Sequence, residues 1–169
     1  MPTLPRTSDP ADTGHRNPAE QARFVALLTD MFEERIRFNQ VLGLRLQSIA
    51  PPAPSLRFDM RPELIGHFLY GRLHGGVISA ALDAAAGLAV MAAIGDHHPA
   101  DTAEQVLQRF SRLGTIDLRV DFLRQGVGKH FIASAEVTRL GGRVASTQMR
   151  LVNEEGLLIA TGAAAYMVS

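Results

Sequence analysis

Residues 75–94 read GGVISAALDAAAGLAVMAAI, twenty positions in which Ser79 and Asp83 are the only polar side chains. A helix apolar on every side must be covered on every side, by protein or by lipid. Lipid is the poorer match: the eight alanines add little insertion energy, Asp83 opposes it, and the flanking segments are amphipathic. The stretch is therefore expected to be a core helix that the remaining chain wraps, with no membrane span. Asp83 is then the anomaly, because a carboxylate in low dielectric needs a partner, hydrogen bonds or a proton. Ser79 and Gly87 lie one turn to either side of it, so the three residues are expected to form a shallow groove through which something approaches the acid.

The helix opens at Leu73-His74-Gly75-Gly76. The first donors of a helix have no intrahelical partners, and two glycines leave theirs uncovered, a setting suited to negative charge. A carboxylate two turns inside a helix that can hold an oxyanion at its start is a layout for attack on a carbonyl carbon. Gly-Gly is also common punctuation before a helix, and only the acid at a fixed offset gives the motif chemical content.

Outward from this centre, residues 1–16 are polar and proline-containing and read as a flexible lead-in, with 17–169 as a single domain. Asn17-Pro18 reads as an N-cap and first helical residue of a helix over about 18–40. Its apolar face is Phe24, Leu27, Leu28, Met31 and Phe32, with Arg23, Asp30, Glu33, Glu34 and Arg37 left to solvent, and it is expected to cover a sheet edge or a subunit surface. From Val41 the period drops to two. Leu42, Leu44 and Leu46 form one strand, and after Pro51-Pro52 Leu56, Phe58 and Met60 form a second. Residues 61–72 show no period and lead into the helix as a loop.

Beyond the helix, Gly95 to Pro99 reads as its stop, and residues 103–110 as a short exposed helix. His97-His98 has no second ligand cluster at metal-binding spacing, so a helix-end role is expected and no metal. Ile116, Leu118, Val120 and Phe122 alternate with Thr115, Asp117, Arg119 and Asp121 as a half-buried strand. Strands over 131–140, 143–152 and 157–168 follow, joined at Gly141-Gly142 and at Asn153 to Gly156. About six strands in one antiparallel sheet, curled around one helix, is the α+β arrangement that covers the apolar rod.

The 169 residues carry 17 basic and 17 acidic side chains, so no broad footprint for nucleic acid or an anionic membrane exists. Absence of cysteine excludes thiolate chemistry and disulfides, and fits a reducing, cytoplasmic setting.

The string LHGGVISAALDAAAG resembles the signature of hotdog-fold acyl-CoA thioesterases of the PaaI-like group, and GTIDLRVDFLR resembles the strand that follows their helix. The similarity runs over about 41–168. It implies a hotdog fold, an acyl-CoA substrate with coenzyme A as its leaving part and no separate cofactor, and a homodimer or dimer of dimers whose pocket is shared between subunits. By that resemblance Asp83 is nucleophile or general base, Gly75 N–H meets the carbonyl oxygen beside His74, Thr115 assists, and Gly76 and Ser79 line the substrate. Local arginines, Arg124 and Arg143, are the candidates for the phosphates. The family's loop Asn, six or seven residues before the His, is absent: Phe68 and His67 stand there, and His67 is the candidate substitute.

Strand parity puts Thr115 opposite Ile116, Leu118, Val120 and Phe122, so it would miss Asp83 of its own chain unless the strand start is bulged or Thr115 acts across a dimer. Two other readings stand beside hydrolysis. One is a hotdog dehydratase, whose acid would fall at Ala81. The other is a non-catalytic acyl-CoA-binding protein.

Overall fold

The structure is a computed structural model that describes residues 16–169. The expected lead-in lies outside the described residues except for Arg16, and Arg16 is fastened: its guanidinium donates to the carbonyls of Gly95, His98 and Asp101.

The N-terminal helix begins as expected. α1 (Pro18–Asp30) is capped by the Asn17 side chain, which accepts from Glu20 N–H at 2.9 Å. It does not run straight to residue 40. A π-helical turn follows at Met31–Arg35, Ile36 is extended, and α2 (Arg37–Leu42) restarts the helix. Glu33, expected in solvent, explains the distortion in part, since its carboxylate takes the N–H of Leu46 at 2.8 Å and the guanidinium of Arg45 at 2.7 Å. Those bonds tie the turn to β1 (Arg45–Ser48). Val41 and Leu42, which read as the start of a strand, complete α2 instead, because Gly43 terminates it in the left-handed region at φ 70°.

The six-stranded antiparallel sheet has the order β1, β2 (Ser55–Asp59), β6 (His130–Leu140), β7 (Val144–Asn153), β8 (Leu158–Met167), β5 (Gly114–Phe122). The segment expected to be a plain loop holds a 3₁₀ turn at Pro62–Leu64 and a small ribbon of β3 (Ile65–His67) and β4 (Arg72–Leu73). Phe68, Leu69 and Tyr70 stand exposed at its tip.

The central helix, α3 (Gly75–His97), packs on β6 and β7 and is also touched by β2, β8 and β5. It continues through Gly95 because that glycine is a contact point: a Cβ there would lie 2.8 Å from the Phe24 ring. Thus the N-terminal helical segment covers the C-terminal end of α3 through Phe24, while its π-helical turn meets the sheet edge at β1. It also meets α4 (Ala103–Arg109), whose first N–H is held by Glu20 and whose flank carries Phe110 against Phe24, ring centroids 6.4 Å apart. α4 is therefore half buried, through Ala103 and Val106, where an exposed helix was expected. The wrapping of α3 is incomplete. Ala80, Asp83, Ala84 and Gly87 remain only half-buried, along one strip of the helix.

Candidate active site

Asp83 sits on this open strip, and two hydroxyls converge on one of its oxygens. Thr115 Oγ1 donates to Oδ1 at 2.9 Å and Tyr166 OH donates to it at 2.6 Å, while Tyr166 OH also lies 2.9 Å from the Asp83 carbonyl oxygen. Oδ2 receives no hydrogen bond from the described residues. The carboxylate is thus fixed through one oxygen and has the other free. Burial first, and the Asp83 carboxylate second, push the Tyr166 hydroxyl far above the usual tyrosine range, so it stays a proton donor at any working pH.

Thr115 reaches Asp83 within one chain because β5 is bulged at its start. Thr115 pairs with Tyr166 and Asp117 with Ala165, leaving Ile116 as the extra residue. Past the bulge Leu118, Val120 and Phe122 pair with Ala164, Gly162 and Ala160, so Thr115 and Tyr166 share their face. The strand expected to be half-buried is a sheet edge, with Ile116 59% and Phe122 56% exposed.

A cavity of about 310 Å³ opens beside the acid, between α3, the π-helical turn and the start of β5. Asp83, Thr115 and Tyr166 line it together with Asn39 and a largely apolar wall. Ser79 does not line it; its hydroxyl donates back to the Gly75 carbonyl at 3.0 Å, so the groove at Asp83 runs along Ala80, Ala84 and Gly87. Tyr166 and Asn39 escaped the sequence reading. Tyr166 had one signal, a phenol in a run of alanines on an inward strand, since a buried tyrosine hydroxyl requires a partner. Asn39 is buried, and its amide donates to the Phe32 carbonyl, closing the distorted turn.

At the start of α3 the His74 side chain is the N-cap: its Nδ1 accepts from Gly76 N–H at 2.9 Å. Gly76 is thereby occupied, and of the two bare amides only that of Gly75 stays open. Phe122 lies over Gly75, 3.4 Å from where a Cβ would be. His67 is not in the Asp83 cavity. It stacks on Phe68 and leans on Tyr70 in the β3–β4 ribbon, with Nδ1 buried and unpartnered.

The two arginines are not brought together. Arg124 follows β5 near the start of α3 and donates to the Leu158 carbonyl at 2.9 Å. Arg143 follows Gly142, which with Ile94 and His97 lines a wider cleft of about 820 Å³ at the opposite end of the helix. That cleft is the larger, yet it contains none of the groups around Asp83. His98 caps α3, as the sequence suggested for the histidine pair. Among the described residues no three His, Asp or Glu side chains converge in a way that would hold a metal ion.

A sheet of this order curled about one long helix, with an acid on the helix at the mouth of an apolar cavity, defines a hotdog-fold enzyme. The sequence profile of the Thioesterase superfamily matches residues 70–160, and the chain belongs to that family. It is a thioester hydrolase. It is 42% identical over 150 residues to proteins named medium/long-chain acyl-CoA thioesterase YigI from Salmonella typhimurium and from Escherichia coli, covering 89% of this chain and 96% of theirs. A crystal structure from Shewanella oneidensis, described as related to the thioesterase superfamily, superposes with a TM-score of 0.82 at 37% identity, covering 90% of this chain and 99% of that one.

Proposed function

We propose that the protein hydrolyses acyl-CoA thioesters, with Asp83 as general base or nucleophile and Gly75 N–H as the oxyanion donor. The observation that carries this reading is the one-sided holding of Asp83, with Oδ1 gripped by Thr115 and Tyr166 and Oδ2 free at the cavity. The relatives named for medium- and long-chain acyl-CoA supply the substrate class. As a base, Oδ2 takes a proton from water while the oxygen attacks the carbonyl carbon. The carbon–sulfur bond then breaks, and the proton passes to the departing coenzyme A thiolate. As a nucleophile, Oδ2 attacks the carbon itself, and water resolves the mixed anhydride. Single turnover in ¹⁸O-water identifies the nucleophilic route when water attacks the Asp83 carboxyl carbon, since the product acid then leaves unlabelled and Asp83 keeps the label, and trapping of the anhydride with hydroxylamine identifies it when water attacks the acyl carbon.

The oxyanion donor for a given Asp83 comes from a second copy of the chain. Gly75 and Asp83 are eight residues apart, about 12 Å along the axis and about 80° around it, so one carbonyl does not meet both. A two-fold pairing through the uncovered β5 edge and the first turns of α3, with Ala84 to Met91 left to the cavity, would bring each Gly75 to the other chain's Asp83. The exposed Ile116 and Phe122 support that edge as a subunit contact. Arg124, near the start of α3, then lies close to the completed site as a phosphate contact, and Arg143 is the more distant candidate. His67, with its unpartnered Nδ1, is proposed as the polar group that stands where relatives carry Asn.

Acyl-CoA assays following free thiol test the activity. Release of coenzyme A by the wild type and its loss in Asp83→Asn is the expected result. Tight binding of acyl-CoA without thiol release, or hydration of an enoyl thioester, would replace it with one of the two other readings.

A further inference from the structure

We infer that Gly87 and the π-helical turn set the length of acyl chain the protein accepts, giving room for about ten carbons. The inference rests on the thioesterase reading of Asp83 and concerns the other end of the same cavity. Glycines inside helices are destabilising relative to alanine unless space or backbone demands them. Gly95 meets such a demand, because the Phe24 ring fills its place; Gly87 does not, since a Cβ added there would meet nothing within 4 Å. The space that Gly87 leaves is cavity.

The walls say what fits it. Along α3 the floor runs Ala84, Gly87, Met91, and facing it are Phe32 and Ile36, with Phe38 exposed at the rim. Their placement follows from the break in the N-terminal helix, where Ile36 N–H closes on the Met31 carbonyl at 3.0 Å and Asn39 clips Phe32. Polar groups cluster at the Asp83 end, and the only other one among the described residues, Asn39, has its amide donor engaged. Such a lining takes a hydrocarbon chain and disfavours a charged acyl group. Its length follows from the helix that floors it. From Asp83 to Met91 is eight residues, about 12 Å, and an all-trans chain of about 1.5 Å carbon–carbon bonds advances roughly 1.3 Å per carbon, which gives nine or ten.

The test uses the wild type, Gly87→Ala, Gly87→Leu and Met91→Ala, each checked for a cooperative melt, against straight-chain acyl-CoAs from butyryl to stearoyl. The wild-type kcat/KM is expected to peak near decanoyl. Gly87→Leu should lower the ratio of decanoyl to butyryl kcat/KM by at least about tenfold, Gly87→Ala should lower it less, and Met91→Ala should move the peak to longer chains. Calorimetry with non-hydrolysable S-decyl- and S-butyl-CoA reads the same ratio in binding, so it reports on the pocket even if the proposed chemistry fails. A chain-length ratio in Gly87→Leu equal to that of the wild type, in turnover or in binding, would overturn the inference.

Discussion

A site shared between subunits, as proposed, makes a sharp demand on mixed subunits. A carboxylate oxygen about 3 to 3.5 Å from the carbonyl carbon, a carbonyl bond of about 1.2 Å and a donor about 2.9 Å beyond span about 7 Å in line. Within one chain Gly75 lies about 12 Å along the helix from Asp83, and the Asp83 side chain is held sideways by Tyr166 and Thr115. Two variants isolate the parts. Asp83→Asn keeps the shape and removes the base, with an expected loss in kcat of about 10² to 10⁴. Gly75→Pro removes the open N–H at a position where proline suits a helix start, with an expected loss of about 10² to 10³. In a mixed dimer one site combines both lesions, and the other has an intact Asp83 and an intact Gly75. Random pairing makes half the dimers mixed with one working site in two, so an equal mixture should regain about one quarter of wild-type activity. Mixed dimers purified through two different tags should regain about half. The assay is thiol release after co-refolding, with unmixed variants as baseline. No recovery in purified mixed dimers would show that Gly75 and Asp83 act within one chain or that Gly75 is not the donor.

Asp83→Asn should melt at or slightly above the wild type while turnover falls, since an amide keeps the Oδ1 acceptor and costs less to bury than a charge; a much lower melt with normal turnover in the folded fraction would make Asp83 scaffolding. Tyr166→Phe should lower turnover by loosening the carboxylate, and it should also change the alkaline limb of stability. The folded chain holds the Tyr166 proton more tightly than the unfolded chain, so its contribution is complete below the ordinary tyrosine range near 10 and shrinks as pH rises above it, by up to about 1.4 kcal/mol per pH unit. Denaturant melts from pH 8 to 11 should therefore fall less steeply for Tyr166→Phe, and equal slopes would refute the assignment. His67→Asn should preserve or raise turnover and His67→Ala should lower it; equal rates in all three would reduce His67 to a ribbon residue.

What the sequence made legible is what composition and short-range period specify. A stretch of twenty residues apolar but for Ser79 and Asp83 reads as a core helix, and the alternating segments after residue 130 supply the sheet that covers it. Gly-Gly before the helix and the acid nine residues after His74 were likewise visible as types at a spacing. The N-terminal helix was legible at Asn17-Pro18, where the cap is local, and not at Met31 to Ile36, where a carboxylate thirteen residues from its partner strand residue reshapes the turn. Gly95 read as a stop because nothing in the adjacent sequence announces that Phe24 lies against it.

The bulge at Ile116 shows why the site was harder to read than the fold. A strict period of two places Thr115 away from Leu118, Val120 and Phe122, and the sequence of β5 alone carries no sign of the extra residue. The sign lies in the partner strand: Tyr166 must place its hydroxyl somewhere once buried, and the residue across from it in register is Thr115. Bulging Ile116, the one inserted residue, out of the ladder keeps Thr115 on the face that Tyr166 occupies and lets both hydroxyls meet one carboxylate oxygen. The same insertion leaves Ile116 exposed on an edge strand, so the irregularity that completes the carboxylate's support also adds apolar surface to the edge that a second subunit would cover. Deleting Ile116 therefore separates the two roles. With the extra residue gone, Thr115 stays paired with Tyr166 on the face of Leu118, so its bond to Asp83 should survive while the edge loses an exposed apolar side chain and dimerisation weakens in sedimentation; an undiminished dimer would place the subunit contact in α3 more than in β5.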